Sequence, residues 1–197
     1  MKTEDILKEL TRFDTPTICN AIEFVLGGRQ GEGFTERPIV AAHPNLPPVV
    51  GYVATARVRA RAPSKKSAAE AKAARIGYYE YIAKAPKPCI VAIQDLDEPA
   101  GHGAFWGEVQ VTVHKGLGIA GGITSGSIRD LDVIDPWFPL MAGCVSPSKR
   151  CSVSSIPSRS ADMPDRHSTS RTRSETSPSH NSCALMFTHT LPAPSRE

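Results

Sequence analysis

The chain reads as an α/β layered domain, and three observations carry that reading. Strand-like and helix-like stretches alternate from residue 51 to 143; CIVAIQDLD is a β-branched run that turns acidic at its end; and a loop rich in glycine, GHGAFWG, runs directly into a helix start. A β-branched run without polar alternation is what a strand buried on both faces looks like, and acids at its end mark the edge where it opens into a loop.

Taken in order, Thr3 is the expected N-cap of a short amphipathic helix, with Glu4 and Asp5 in its first turn and Ile6, Leu7 and Leu10 on one face. Asp14-Thr15-Pro16 repeats the start signal, since proline at the first helical position gives up an N–H that would be orphaned anyway. This second helix should run through ICNAIEFVL to Gly27-Gly28. Residues 29–48 read as a long surface loop. A strand begins near Gly51, with Ala54, Ala56 and Val58 on one face and Thr55, Arg57 and Arg59 on the other. Ser64 to Ala83, rich in Ala, Lys and Glu, is the third helix; its Lys65, Lys66, Lys72 and Arg75 read as a solvated face. CIVAIQDLD is the next strand. A helix carrying Val109, Val113 and Leu117 follows the glycine loop, IAGGIT is another strand, RDLDVID a turn, and FPLMAG a short apolar piece.

At 197 residues the chain is long enough for one domain with a sizeable core. Residues 1–147 carry 16 Lys+Arg against 16 Asp+Glu, so the net charge of +3 comes from residues 148–197, with seven against four. A neutral folded part argues against a nucleic-acid-binding face. The five cysteines form no CxxC pair, which indicates neither a zinc site nor a disulfide framework. There is no run of eighteen apolar residues and no apolar leader at the N-terminus, so a soluble cytoplasmic protein without membrane attachment is expected. After Ser146 the composition changes: none of the 15 glycines lies beyond it, and 13 of the last 50 residues are serine. The expected domain is therefore 1–147, incomplete at its C-terminal end, followed by a disordered Ser/Arg/Pro-rich tail over 148–197.

Chemistry concentrates between Gly101 and Asp132. Glu108 follows the glycine loop at a helix start, and Arg129 and Asp130 stand side by side after the next strand. Such residues could hold an anion on backbone N–H groups, a hard cation on a carboxylate and a developing negative charge on a guanidinium. Each also has a plain structural use, because an acid in a first turn answers the helix dipole and an Arg-Asp pair is common in surface turns. Gly101, Gly103 and Gly107 would let backbone approach a ligand, and Gly126 would leave room before Arg129. His102 is open between a site ligand and an exposed loop residue. Asp95, Asp97 and Glu98 are open between cation binding and turn formation, and His114 and Lys115 are expected on the surface.

The run DLDEPAGHGAFWGEVQVTVHKGLGIAGGITSGSIRDLD, with DTPTICNAIE upstream and GYVATARV between, resembles the RraA-like superfamily over roughly residues 5 to 147. That superfamily includes 4-hydroxy-4-methyl-2-oxoglutarate aldolases and regulators of ribonuclease E. The resemblance implies a swivelling β/β/α-type fold, assembled as trimers or hexamers, and a metal-dependent lyase with Mg²⁺ or Mn²⁺ as cofactor. It implies that Asp130 anchors the metal with support from Glu108, that Arg129 clamps a short 2-keto dicarboxylate, and that Gly107 and the N–H groups of Val109 and Gln110 receive its carboxylate. Retro-aldol cleavage to pyruvate, or decarboxylation of oxaloacetate, would follow, with water as the base. The alternatives implied are a non-catalytic protein-binding regulator of ribonuclease activity and an inactive, truncated member. Two departures stand out: Val133 where many of the aldolases carry an acid, and SPSKRCSVSSIPSRS where the family continues with further strands.

Overall fold

The computed structural model describes residues 2–29, 35 and 37–146, and the backbone of two short strands further on. Most of 148–197 lies outside the described residues, and with it most of the expectation for a disordered tail. Ser152–Ser155 and Ala184–Phe187 are described as short strands, each paired with the strand Val49–Arg59.

The helices are α1 (Thr3–Leu10), α2 (Thr15–Leu26), α3 (Ala68–Ala83) and α4 (Glu108–Gly116). The strands are β1 (Val40–Ala41), β2 (Val49–Arg59), β3 (Cys89–Asp95), β4 (Ala104–Trp106), β5 (Ile119–Ile128), β6 (Leu140–Val145), β7 (Ser152–Ser155) and β8 (Ala184–Phe187). The α/β expectation is borne out. One sheet runs in the order β1-β6-β5-β3-β2-β7, with β4 beside β5 and β8 beside β2. Its centre, β6-β5-β3-β2, is parallel, and β1, β7 and β8 pair antiparallel at its margins.

Local signals explain most boundaries. Asp14 caps α2 by accepting the Thr17 N–H at 2.9 Å, and Gly27 ends the helix at φ 75°, a conformation that favours glycine. Those bonds from Thr17 also hold the Asp14 carboxyl below its usual range. The helix α1 starts at Thr3 rather than after it, because Lys2 takes the N-cap position and donates its N–H to Asp5. The helix α3 begins later than expected. Ser67 and Glu70 form a reciprocal capping box, which leaves Ser64–Lys66 outside the helix.

Strand β2 alternates as its sequence implies: Val50, Ala54, Ala56 and Val58 are buried, while Thr55 and Arg59 are exposed. The continuous apolar run of β3 is central, between β2 and β5, with Cys89, Ile90, Val91 and Ile93 all buried. Of the strands up to residue 146, β1 and β4 are not legible in the sequence. The first is two residues long, and Ala104–Trp106 is flanked by glycines that read as loop.

The core joins Ala54, Val58, Tyr78, Ile82, Val91, Trp106, Ile128 and Leu140 across the sheet and its helices. Trp106 is fully buried, and its ring lies where a Cβ on Gly122 would be, 2.5 Å from Cζ2. A side chain at 122 would therefore displace the largest member of the core. The same packing pins β4 to β5 and sets the path of the chain into α4.

Candidate functional site

The site is built where β4 passes into α4 and where β5 ends. Gly107 is the N-cap of α4, in extended backbone, and the helix opens at Glu108. From the other side, Arg129 and Asp130 follow directly on β5, and the Arg129 N–H donates to the Trp106 carbonyl at 3.0 Å. That bond places the Arg-Asp pair beside the helix start. Asp130 adopts φ 61°, the left-handed region, and is the one non-glycine residue with positive φ among the described residues.

This turn aims the Asp130 carboxylate at the helix N-terminus, where its Oδ2 accepts the Glu108 N–H at 3.3 Å. Arg129 Nε lies 3.6 Å from the same oxygen, too far for a hydrogen bond, and that nitrogen is buried without a hydrogen-bond partner among the described residues. Close approach requires glycine at 107, because a Cβ there would stand 2.5 Å from Asp130 Oδ2 and 3.0 Å from Arg129 Nε. The side chains of Arg129 and Asp130 are 32% and 35% exposed, so a ligand from solvent can reach both.

The sequence-derived residues Gly107, Glu108, Arg129 and Asp130 therefore meet. Val109 and Gln110 complete the first turn of α4, whose N–H groups have no partner within the helix and sit at the positive end of its dipole. The Gln110 side chain turns instead to α3, accepting from the Tyr79 hydroxyl at 3.2 Å. The Glu108 side chain is exposed.

The rest of the glycine loop serves the fold. Gly101 has φ 97° and donates its N–H to Asp95 Oδ2 at 2.7 Å, and Gly126 makes room for Asp95 rather than for Arg129. Asp95 and Asp97 are both buried. Asp95 accepts the Asp97 and Gly101 N–H groups, and Asp97 accepts those of Ala60 and Arg61. They are turn formers, which resolves the alternative left open by their sequence. His102 is exposed, beside a surface hollow it shares with Arg61. Asp132 and Val133 are exposed, and Asp135 pairs with Lys115, which holds its carboxyl below the usual range.

His114 corrects the sequence reading. Expected on the surface, it is fully buried, with its ring 4.5 Å from that of Trp106 and edge-on to Phe105. The reason is spacing: Gln110 lies one turn earlier, and its carbonyl contacts His114 Nδ1 at 2.6 Å, while Tyr78 Oη contacts Nε2 at 2.6 Å. A carbonyl only accepts, so Nδ1 carries the proton and Nε2 accepts from the tyrosine. Burial drives the imidazole pKa down to about 4 and pushes the Tyr78 phenol up.

Among the described residues, no group of three His, Cys, Asp or Glu side chains could share a metal ion. No helix among them is long and apolar enough to cross a membrane. Of the cysteines, Cys19, Cys89 and Cys144 are free thiols, and burial raises the pKa of Cys89.

Comparison with known proteins places this fold. The sequence family described as RraA-like, Aldolase/RraA, matches residues 15–157. Among solved structures, one described as novel cellulases from microbes associated with the gut ecosystem superposes with a TM-score of 0.58 at 16% identity, over 79% of this chain and 66% of the other. An uncharacterized protein from Pseudomonas syringae pv. tomato gives 0.54 at 21% identity, over 78% and 63%. RraAS2 of Streptomyces coelicolor, described as an unusual member of the RNase ES inhibitor RraA protein family, gives 0.50 at 20% identity, over 73% and 65%. At these identities the likeness is one of fold, and the chain spans about two thirds of the length of these structures. Curated proteins return no match. With a sequence match running from α2 through β7 and a sheet that superposes on such folds, the chain belongs to the RraA-like family, which includes both aldolases and ribonuclease regulators.

Proposed function

We propose that the chain is a divalent-metal-dependent carbon–carbon lyase acting on a short 2-keto dicarboxylate, releasing pyruvate by retro-aldol cleavage or by decarboxylation of an oxaloacetate-like acid. The observation that carries this reading is the convergence of an accessible carboxylate, a guanidinium with an unpartnered buried nitrogen, and an open helix N-terminus around Gly107. An accessible carboxylate, Asp130, with Glu108 brought beside it at the start of α4, suits a hard cation that keeps most of its water, such as Mg²⁺ or Mn²⁺. It does not suit zinc, which takes three or four protein ligands. When bound, such an ion supplies Lewis-acid polarisation of a 2-keto oxygen.

The protein's own residues do the rest. The N–H groups of Val109 and Gln110 receive the substrate carboxylate, gaining from free donors and from the helix dipole together. Arg129 orients the keto acid and offsets the negative charge that grows on its oxygen as the carbon–carbon bond breaks. Among the described residues no imidazole lies at the pair: His114 is buried among aromatic rings, with both nitrogens engaged. In this reading an ordered water, rather than a side chain, carries the proton. The test is pyruvate release from 4-hydroxy-4-methyl-2-oxoglutarate and oxaloacetate with Mg²⁺ and after chelation. Turnover that needs the ion is expected, and none above the uncatalysed rate in either condition would overturn the reading.

A second reading, a protein-binding regulator, draws on α2. None of its twelve residues is buried, and Phe24, Val25 and Leu26 are 88%, 78% and 60% exposed. An apolar face of this kind needs a cover. Self-association is the cover proposed here, and under the regulator reading a foreign partner would take its place. Light scattering on the purified full chain is expected to give an oligomer, and Phe24→Glu with Leu26→Glu should dissociate it. A wild-type monomer would transfer the face to a partner protein.

A further inference from the structure

Away from the Arg-Asp pair, α3 carries a cleft of about 180 Å³ on the side facing α4. Its wall is one helical face: Ala68, Ala71, Lys72, Arg75, Tyr78 and Tyr79 recur at spacings of three and four. The two alanines leave the space, Lys66, Lys72 and Arg75 are the charged residues that line it, and Phe105 and Tyr78 form an apolar floor. Gln110 closes the α4 side, its side chain already oriented by the Tyr79 hydroxyl.

Among the described residues charge around the cleft is one-sided: no acid lines it, and Glu70, on the same helix, is committed to the Ser67 N–H at 2.7 Å in the capping box. A helix face that serves only solubility normally mixes signs, and it does not enclose a hollow with an aromatic floor. The volume is below the roughly 300–1,000 Å³ typical of sites for drug-sized ligands, which limits the occupant to a small molecule. We propose that this cleft is a binding site for a small oxyanion, phosphate or carboxylate on a short carbon skeleton, held by Lys72 and Arg75 and separate from the Arg129–Asp130 site. Arg75 supplies the planar fork that matches such an oxyanion, and Lys72 adds a mobile point charge.

The test is isothermal titration of the full-length protein with inorganic phosphate and, separately, with citrate, with ionic strength held constant by sodium chloride. Saturable binding of at least one probe is expected, and the tighter of the two identifies the anion class. Lys72→Gln with Arg75→Gln should weaken it by about tenfold or more. Both side chains are exposed, so circular dichroism of the double variant should match wild type. Arg129→Gln should leave this binding unchanged. Three results would overturn the proposal: no saturable binding, equal binding by wild type and the double variant, or loss of binding in Arg129→Gln, which would place the anion at the other site.

Discussion

Asp130→Asn is expected to lower metal-dependent pyruvate release by about 100-fold or more while leaving the protein as stable as wild type. The two halves of that expectation have different physical sources. Structurally, Asp130 does two things: it occupies the left-handed region at φ 61°, and it accepts the Glu108 N–H to close the start of α4. Asparagine does both, since its short polar side chain tolerates that region and its amide oxygen accepts the same bond. What asparagine lacks is the negative charge, and under the proposed function charge is what holds the cation. Alanine removes everything at once. It is strained at positive φ and leaves the helix start uncapped, so Asp130→Ala should lose roughly 2 kcal/mol of stability together with turnover. Comparing the two variants by denaturant unfolding and by the pyruvate assay separates a capping residue from a metal anchor. Wild-type turnover in Asp130→Asn would leave Asp130 as a cap and remove it from the chemistry.

The same residue illustrates what the sequence made legible. The Arg-Asp pair stood out because its neighbours, glycines and an acid at a helix start, are residue types with few joint structural uses. The fold then brought Gly107 and Asp130 so close that no side chain fits between them. Alternation of strand and helix implied the layered α/β class, because parallel neighbours need crossover connections, but the strand order was left open until the sheet was seen. Asp95 and Asp97 were undecidable from sequence, since an acid that binds a cation and one that accepts backbone N–H groups look alike until the turn is seen. Strand β4 was hidden because three residues cannot establish a period. The cleft on α3 was invisible for another reason: its cations read as an ordinary wet face, and only the position of α4 turns that face into a wall. His114 was misplaced because a polar residue in an exposed-looking helix is assigned to solvent by default. Its burial depends on Tyr78, 36 residues away, to satisfy the second ring nitrogen.

That buried imidazole should make the protein acid-sensitive in a defined window. Desolvation among Phe105, Trp106 and the tyrosines is the main cause of its depressed pKa of about 4, partly opposed by the Gln110 carbonyl, which favours a proton on Nδ1. In the unfolded chain the ring titrates near its ordinary value of 6.5. Between these values the unfolded state binds a proton that the folded state refuses, so stability rises with pH across the window. The contribution is fully present above pH 6.5, is lost progressively as the pH falls towards 4, and changes no further below that. At 1.36 kcal/mol per unit the loss amounts to about 3 kcal/mol, a large share of a typical domain's stability. Carboxyls held below their usual range, at Asp14, Glu70 and Asp135, weaken the fold in more acid solution, but they do so whatever stands at 114. His114→Gln isolates the imidazole: glutamine retains one donor and one acceptor for Gln110 and Tyr78 but does not titrate. Urea unfolding of both proteins from pH 7.5 to 4 should show the wild type losing about 3 kcal/mol more than the variant. Parallel curves would mean that the ring accepts a proton in place, with Tyr78 turning its oxygen to receive the new N–H, and that the aromatic box is more hospitable to charge than its burial implies.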